Sequence, residues 1–146
     1  TMLESVKQIL DRKGHDVLYI TPDASVYDAL RKMAENNIGA LVVMENGHVA
    51  GIFSERDYAR ELEFCSQSCR SIKVRDVMSK DIYFVKPDTL IDEAMAIVTE
   101  TRCRHLPVMN GEEMVGMVSI GDLVKASIDK KDFVIRQLEK YIKGEQ

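Results

Sequence analysis

The heptapeptide Gly116-Met117-Val118-Ser119-Ile120-Gly121-Asp122 has a counterpart 65 residues earlier (116 − 51 = 65), Gly51-Ile52-Phe53-Ser54-Glu55-Arg56-Asp57. A repeat at fixed spacing constrains a fold more than any single motif, because both copies must satisfy one architecture. Residues 17–62 align with 82–127 without a gap and share ten identities. Pro22 pairs with Pro87, Asp23 with Asp88, Leu41 with Leu106 and Val43 with Val108. Most other pairs exchange one apolar residue for another, so strands, helix and turns follow one template.

Within the first copy, Val17-Leu18-Tyr19-Ile20 reads as a short strand ended by Thr21-Pro22-Asp23, since Pro22 biases its predecessor to extended geometry. Ser25 caps a helix with Val26, Ala29, Leu30, Met33 and Ala34 on one face, and Asp28 suits its N-terminal dipole. Ala40 to Met44 is a buried strand, Asn46-Gly47 a hairpin signal, and Val49 to Phe53 the return strand. Ser54 opens a helix to about Leu62. The second copy gives Ile82–Val85, Ile91–Glu100, His105–Met109, a hairpin marked by Asn110-Gly111, Met114–Val118 and a helix from Ile120. Each copy is thus β-α-β-β-α.

The expected organisation is a repeat at 15–62, a connector at 63–81 with a helical turn near Val74–Met78, a second repeat at 82–128, and flanking helices in 1–14 and 129–146. Leu3, Val6 and Leu10 form a helical stripe stopped at Gly14, after Lys13. Val134, Leu138 and Tyr141 form one face of the last helix, and Ile135 with Ile142 another. Helices this apolar should pack on a sheet or on a second subunit, which predicts a homodimer. One repeat alone buries too little surface to be stable. Two packed sheet to sheet with pseudo-twofold symmetry share a core, in an α/β (α+β) fold with a cleft on either side.

A net charge of -4 argues against nucleic-acid binding. No apolar run reaches the roughly 20 residues of a membrane span. Three cysteines, Cys65, Cys69 and Cys103, cannot all pair within one chain, which fits a reducing, cytoplasmic setting. The Cys65–Cys69 spacing has no accompanying His or Cys pair, so no metal is expected, and Cys103 reads as a core residue. No nucleophile motif, P-loop or Rossmann fingerprint is present, and no catalytic residues are expected.

The duplicated unit resembles a tandem pair of cystathionine-β-synthase (CBS) domains, a Bateman module, over about residues 15–128. The resemblance rests on Asn37-Ile38-Gly39-Ala40-Leu41-Val42-Val43, on Arg104-His105-Leu106-Pro107-Val108 and on the two Gly-x-x-Ser-x-x-Asp stretches. In its flanking helices and compact length it is similar to stand-alone bacterial CBS pairs. It implies a regulatory module that binds an adenine nucleotide (AMP, ATP or NAD) in the inter-repeat clefts, senses energy or nucleotide state, and acts on a further regulated protein. Catalysis is not implied. A nucleotide-independent dimerisation scaffold is the alternative, and a weak nucleotide hydrolase a third possibility.

Ser54 with Asp57, and Ser119 with Asp122, have the spacing of a capping box, which explains them without a ligand. The same helix N-terminus can hold phosphate. The resemblance implies Asp on ribose and the Ser region on phosphate; Ile120 and Gly121 are further ligand-binding candidates, Gly121 either permitting closer approach or distorting the cap. Arg56, Arg102, Arg104 and His105 are candidate cations. Because Gly121 stands where the first copy has Arg56, the two clefts are not equivalent. Ile20, Thr21, Ile38, Gly39 and Ala40 are candidates for one adenine slot, and Val85, Lys86, Cys103, Arg104 and His105 for the other. Ile20, Ile38 and Ala40 are equally explained as core, and Gly39 as a helix-to-strand turn.

Overall fold

A computed structural model describes residues 4–62 and 70–142. Leu3, Cys65 and Cys69 lie outside the described residues. The chain divides into two compact units: residues 17–82, and residues 1–16 together with 83–146.

The unit of residues 17–82 carries β1 (Tyr19–Ile20), α2 (Val26–Asn36), β2 (Ala40–Glu45), β3 (His48–Ser54), α3 (Glu55–Leu62) and α4 (Val74–Val77), after α1 (Val6–Lys13) in chain order. Its sheet runs β1-β2-β3, parallel then antiparallel. Val26, Ala29 and Met33 repeat at helical spacing and are buried against Leu41, Val43 and Phe53. Ala34, expected on that face, is exposed. At 100° per residue it falls on the flank of the stripe that Val26 and Met33 centre. Ser25 caps α2 through Asp28 N–H at 3.0 Å. Asn37, at φ 53, closes α2 in the left-handed region.

The other unit combines α1 with α5 (Ile91–Thr101), β4 (His105–Asn110), β5 (Glu113–Ser119) and α6 (Ile120–Ile142). Val6, Ile9 and Leu10 pack with Ala94, Val98, Leu106, Val118, Leu123 and Ala126 in one cluster. The expected strand Ile82–Val85 reduces to one parallel bridge, Val85 to Val108. Tyr83 and Phe84 are exposed, so only Val85 gains burial from joining the sheet.

The two hairpins share one register. Ala40 faces Ser54 and His105 faces Ser119, and both ladders slip at the same place, Val43/Met44 and Val108/Met109. Their turns differ chemically. Asn46 and Gly47 both have positive φ, the type I′ pattern. In the second hairpin the turn is Gly111-Glu112, one residue later than Asn110-Gly111, because Asn110 still pairs with Glu113. Only Gly111 has positive φ there, the type II′ pattern.

The repeat also extends further than its aligned stretch. Val6 N–H donates to Thr89 O and Lys7 N–H to Pro87 O; Val74 N–H donates to Ala24 O and Arg75 N–H to Pro22 O. Val6-Lys7-Gln8-Ile9-Leu10 and Val74-Arg75-Asp76-Val77-Met78 are thus equivalent, 68 residues apart (74 − 6 = 68). Each packs in the unit of the other copy: α1 with the second repeat's strands, α4 with the first's. The flanking helix and part of the connector are therefore components of the repeats.

This arrangement explains the motif glycines. A Cβ on Gly51 would lie 2.7 Å from Ser79 O and 2.7 Å from Met78 Sδ; one on Gly116 would lie 2.7 Å from Leu10 Cδ2. Ser79 is held by two backbone hydrogen bonds to Ile52, at 2.8 and 3.0 Å, and cannot yield cheaply. Gly51→Ala is expected to destabilise the protein by about 1–3 kcal/mol, the usual cost of overpacking. A denaturant midpoint that does not fall, at unchanged slope, would refute this.

The repeat's last helix and the terminal helix, expected as separate elements, form one helix of 23 residues, α6. No Gly or Pro interrupts residues 122–142, so nothing in the sequence breaks it. Leu123 and Ala126 are buried, while Val134, Ile135, Leu138, Tyr141 and Ile142 are exposed. No helix among the described residues is long and apolar enough to cross a membrane.

Candidate functional site

Each unit builds one half-site where a hairpin's return strand becomes a helix. In the unit of residues 17–82, β3 ends at Ser54 beside Ala40. Ser54 N–H and Oγ–H both donate to Asp57 Oδ2, at 3.0 and 3.1 Å, and Asp57 N–H returns to Ser54 Oγ at 3.3 Å. Glu55 N–H donates to Gly39 O at 3.2 Å. The loop Ile38-Gly39-Ala40 is thereby fixed against the start of α3.

The other unit repeats this geometry. Ser119 N–H donates to Asp122 Oδ2 at 2.9 Å, and Asp122 N–H to Ser119 Oγ at 3.1 Å. Ile120 N–H donates to Arg104 O at 2.8 Å, and His105 faces Ser119 across the ladder. Cys103 is half-buried against the core, its Sγ donating to His105 O at 3.2 Å.

Both Ser-x-x-Asp units are therefore capping boxes, and the accounting shows what they leave over. A helix start has four N–H groups without intrahelical partners. Here the Asp carboxylate, the loop carbonyl and the Ser hydroxyl take the cap, first and third groups. The second, at Arg56 and at Gly121, has no acceptor among the described residues. Each Asp uses Oδ2 for the cap, and Oδ1 accepts no hydrogen bond from the described residues. Each half-site thus offers one helix N–H and one carboxylate oxygen.

The side chains beside these groups are exchanged between copies. Gly39 and Arg104 occupy equivalent positions, as do Arg56 and Gly121 (104 − 39 = 121 − 56 = 65). One copy places its arginine on the helix and its glycine on the loop; the other does the reverse. Arg56 and Arg104 are exposed, and neither guanidinium forms an ion pair with the described residues. Both glycines are open: a Cβ on Gly39 meets nothing within 4 Å, and one on Gly121 meets only Ser119 Oγ at 3.6 Å. Neither has positive φ: Gly39 lies in the expected turn between α2 and β2, where Asn37 is the left-handed residue, as its counterpart Arg102 is at φ 60.

Ile20, Thr21, Val85 and Lys86 lie further along the strands from the helix starts. Ile20 faces Val43 and Val85 faces Val108, each three residues along the strand from Ala40 or His105. At about 3.3 Å per residue that is roughly 10 Å from the helix start. Lys86 is exposed, its N–H bound to Thr89 Oγ1 at 2.9 Å. The register instead puts Val17-Leu18 level with Ala40-Leu41, and Tyr83 level with Leu106.

Lys13, not a sequence candidate, does reach the second half-site. Its Nζ donates to Asp122 Oδ2 at 2.7 Å and to Met117 O at 3.1 Å. Burial pushes the Asp122 carboxyl up, but the Lys13 ammonium and the Ser119 N–H outweigh it and hold the group below the usual carboxylate range. Among the described residues no group of three His, Cys, Asp or Glu side chains is placed to hold a metal.

Fold and site define a class: a duplicated α+β module with two related half-sites and no catalytic constellation among the described residues. The CBS domain family model matches residues 6–63 and 74–129, and the chain belongs to that family as a tandem pair. The matches begin at α1 and α4, where the structure begins each repeat. The chain is 38% identical over 149 residues to the "CBS domain-containing protein CBSX3, mitochondrial" of Arabidopsis thaliana, covering 96% of this chain and 72% of that protein. It is similar to the crystal structure of a CBS-domain containing protein from Agrobacterium tumefaciens, at 36% identity and a TM-score of 0.82, covering 86% of this chain and 95% of that one. It is also 29% identical to an inosine-5′-monophosphate dehydrogenase of Methanocaldococcus jannaschii, over 88% of this chain but 26% of the enzyme. CBS pairs are in general regulatory modules, often ones that bind adenine nucleotides.

Proposed function

We propose that this chain is a regulatory module that binds an adenine nucleotide of the AMP, ATP or NAD class at the starts of α3 and α6. The carrying observation is what each capping box leaves over: one helix N–H, one carboxylate oxygen and one arginine without a partner among the described residues, present twice. An N–H at a positive helix end with an arginine suits phosphate. A carboxylate oxygen suits sugar hydroxyls, which need an acceptor. Calorimetric titration with AMP, ATP and NAD tests the proposal; heats indistinguishable from dilution for all three would sink it. Incubation with ATP and product analysis tests for hydrolysis, for which the site supplies no base, nucleophile or metal set among the described residues.

A nucleotide-independent scaffold is favoured by one observation, the exposed apolar face of α6. Leu138 is 56% and Tyr141 84% exposed. Such a face on a helix calls for a partner surface, and a second copy supplies a self-complementary one. The wild type is expected to sediment as a homodimer, and Leu138→Glu to dissociate it. A wild-type monomer at roughly tens of micromolar would refute the dimer.

A further inference from the structure

The two carboxylates differ in what fills their second hydrogen-bonding place. On Asp57 Oδ2 it is the hydroxyl of Ser54, 3.1 Å away, which turns about one bond. On Asp122 Oδ2 it is the ammonium of Lys13, 2.7 Å away and 109 residues distant in sequence. A sugar diol that needs both oxygens of Asp57 displaces a neutral hydroxyl. One that needs both oxygens of Asp122 displaces a charged donor, and charged hydrogen bonds are the stronger kind.

Lys13 ends α1 and belongs to a set of polar clasps. Arg12 Nη1 lies 3.2 Å from Asp129 Oδ2, and His15 Nδ1 lies 3.1 Å from Val115 O. Gly14 follows Lys13 at φ 109, its N–H held by Leu10 O at 2.7 Å. Val6, Ile9 and Leu10 anchor α1 in the core, and the residues after Leu10 are held by these polar clasps.

Resting on the ribose reading of Asp122, we propose that Lys13 is a positioning residue that competes with the ligand's sugar for this carboxylate, coupling ligand binding to release of the last turn of α1. A ligand shifts such an equilibrium only by its differential affinity, and here both states draw on one oxygen pair. The coupling is reciprocal: whatever draws residues 11–15 off β5 and α6 strengthens binding at Asp122. Among the described residues Asp57 has no such cation, so the coupling belongs to the second half-site.

The test uses the full chain and adenosine, whose lack of charge removes any general attraction between Lys13 and phosphate. Lys13→Met keeps the side-chain stem, and Lys13→Gln is a second variant. Each should bind adenosine about fivefold tighter or more at one of two sites. The preference for adenosine over 2′-deoxyadenosine should rise, a readout that a purely structural lysine would not move. In the wild type, saturating adenosine should speed hydrogen exchange at the Gly14 amide; in the variants exchange there should be fast already. Unchanged or weaker adenosine binding in both variants, while Asp122→Ala still weakens it, would overturn the role of Lys13 and leave the ribose reading standing. Binding indifferent to Asp122→Ala as well would overturn both.

Discussion

Replacing Asp57 or Asp122 with Ala is expected to lower adenine-nucleotide affinity at the altered half-site about ten- to a hundredfold. Loss of a charged hydrogen bond is worth about 1.5–3 kcal/mol, and each 1.4 kcal/mol is tenfold. The same change removes an acceptor from the cap, since Ser54 N–H and Ser119 N–H both bond to Oδ2. Stability should therefore also fall, by about 0.5–2 kcal/mol, and affinity must be measured on the folded protein. The two effects separate in the readout: the cap draws on Oδ2 alone, whereas a sugar diol draws on both carboxylate oxygens. AMP should outbind 2′-deoxy-AMP, whose sugar leaves one contact to the carboxylate unmade. Equal binding of the two, with unchanged affinity in both Asp variants, would return these residues to capping alone. Asp122 is the more informative of the pair, because Lys13 already draws on it.

The sequence carried the hairpins and helix starts because their determinants are local. Turn glycines, Ser caps and apolar runs lie within a few residues of what they fix, and the repeat doubled each signal. What escaped it depends on pairing. Val6 and Val74 dock alike, but 68 residues apart, so an ungapped alignment at 65 cannot show them. The exchange of α1 and α4 between units leaves no mark on either segment's composition. A two-residue strand such as Tyr19–Ile20 has no alternation to set its register. Only the parallel pairing shows that Ile20 and Thr21 lie about three residues along the strand from the level of Ala40. The extended chain just before them is the level segment. Lys13 reads locally as an ordinary basic residue at a helix end. Only the packing of α1 on β5 brings it to Asp122.

The arginine exchange leads to the second large effect. Arg104→Ala should weaken nucleotide binding at the second half-site about ten- to a hundredfold, as a charged hydrogen bond to phosphate is lost. Folding should hardly change, because the link to α6 runs through the Arg104 carbonyl, which Ala retains, and exposed substitutions usually stay within about 0.5 kcal/mol. Arg56→Ala should do the same at the first half-site and leave the second untouched. The exchanged positions permit a stricter experiment. Combining Arg104→Gly with Gly121→Arg gives the second half-site the arrangement of the first, glycine on the loop and arginine on the helix. If the two positions supply one interchangeable charge, this double variant should recover most of the affinity lost in Arg104→Gly alone. Recovery would place the phosphate within reach of both positions, on the side of the helix start where the second N–H is open. Normal affinity in Arg104→Ala, with normal stability, would instead remove Arg104 from the site and leave its side chain a solvated surface charge.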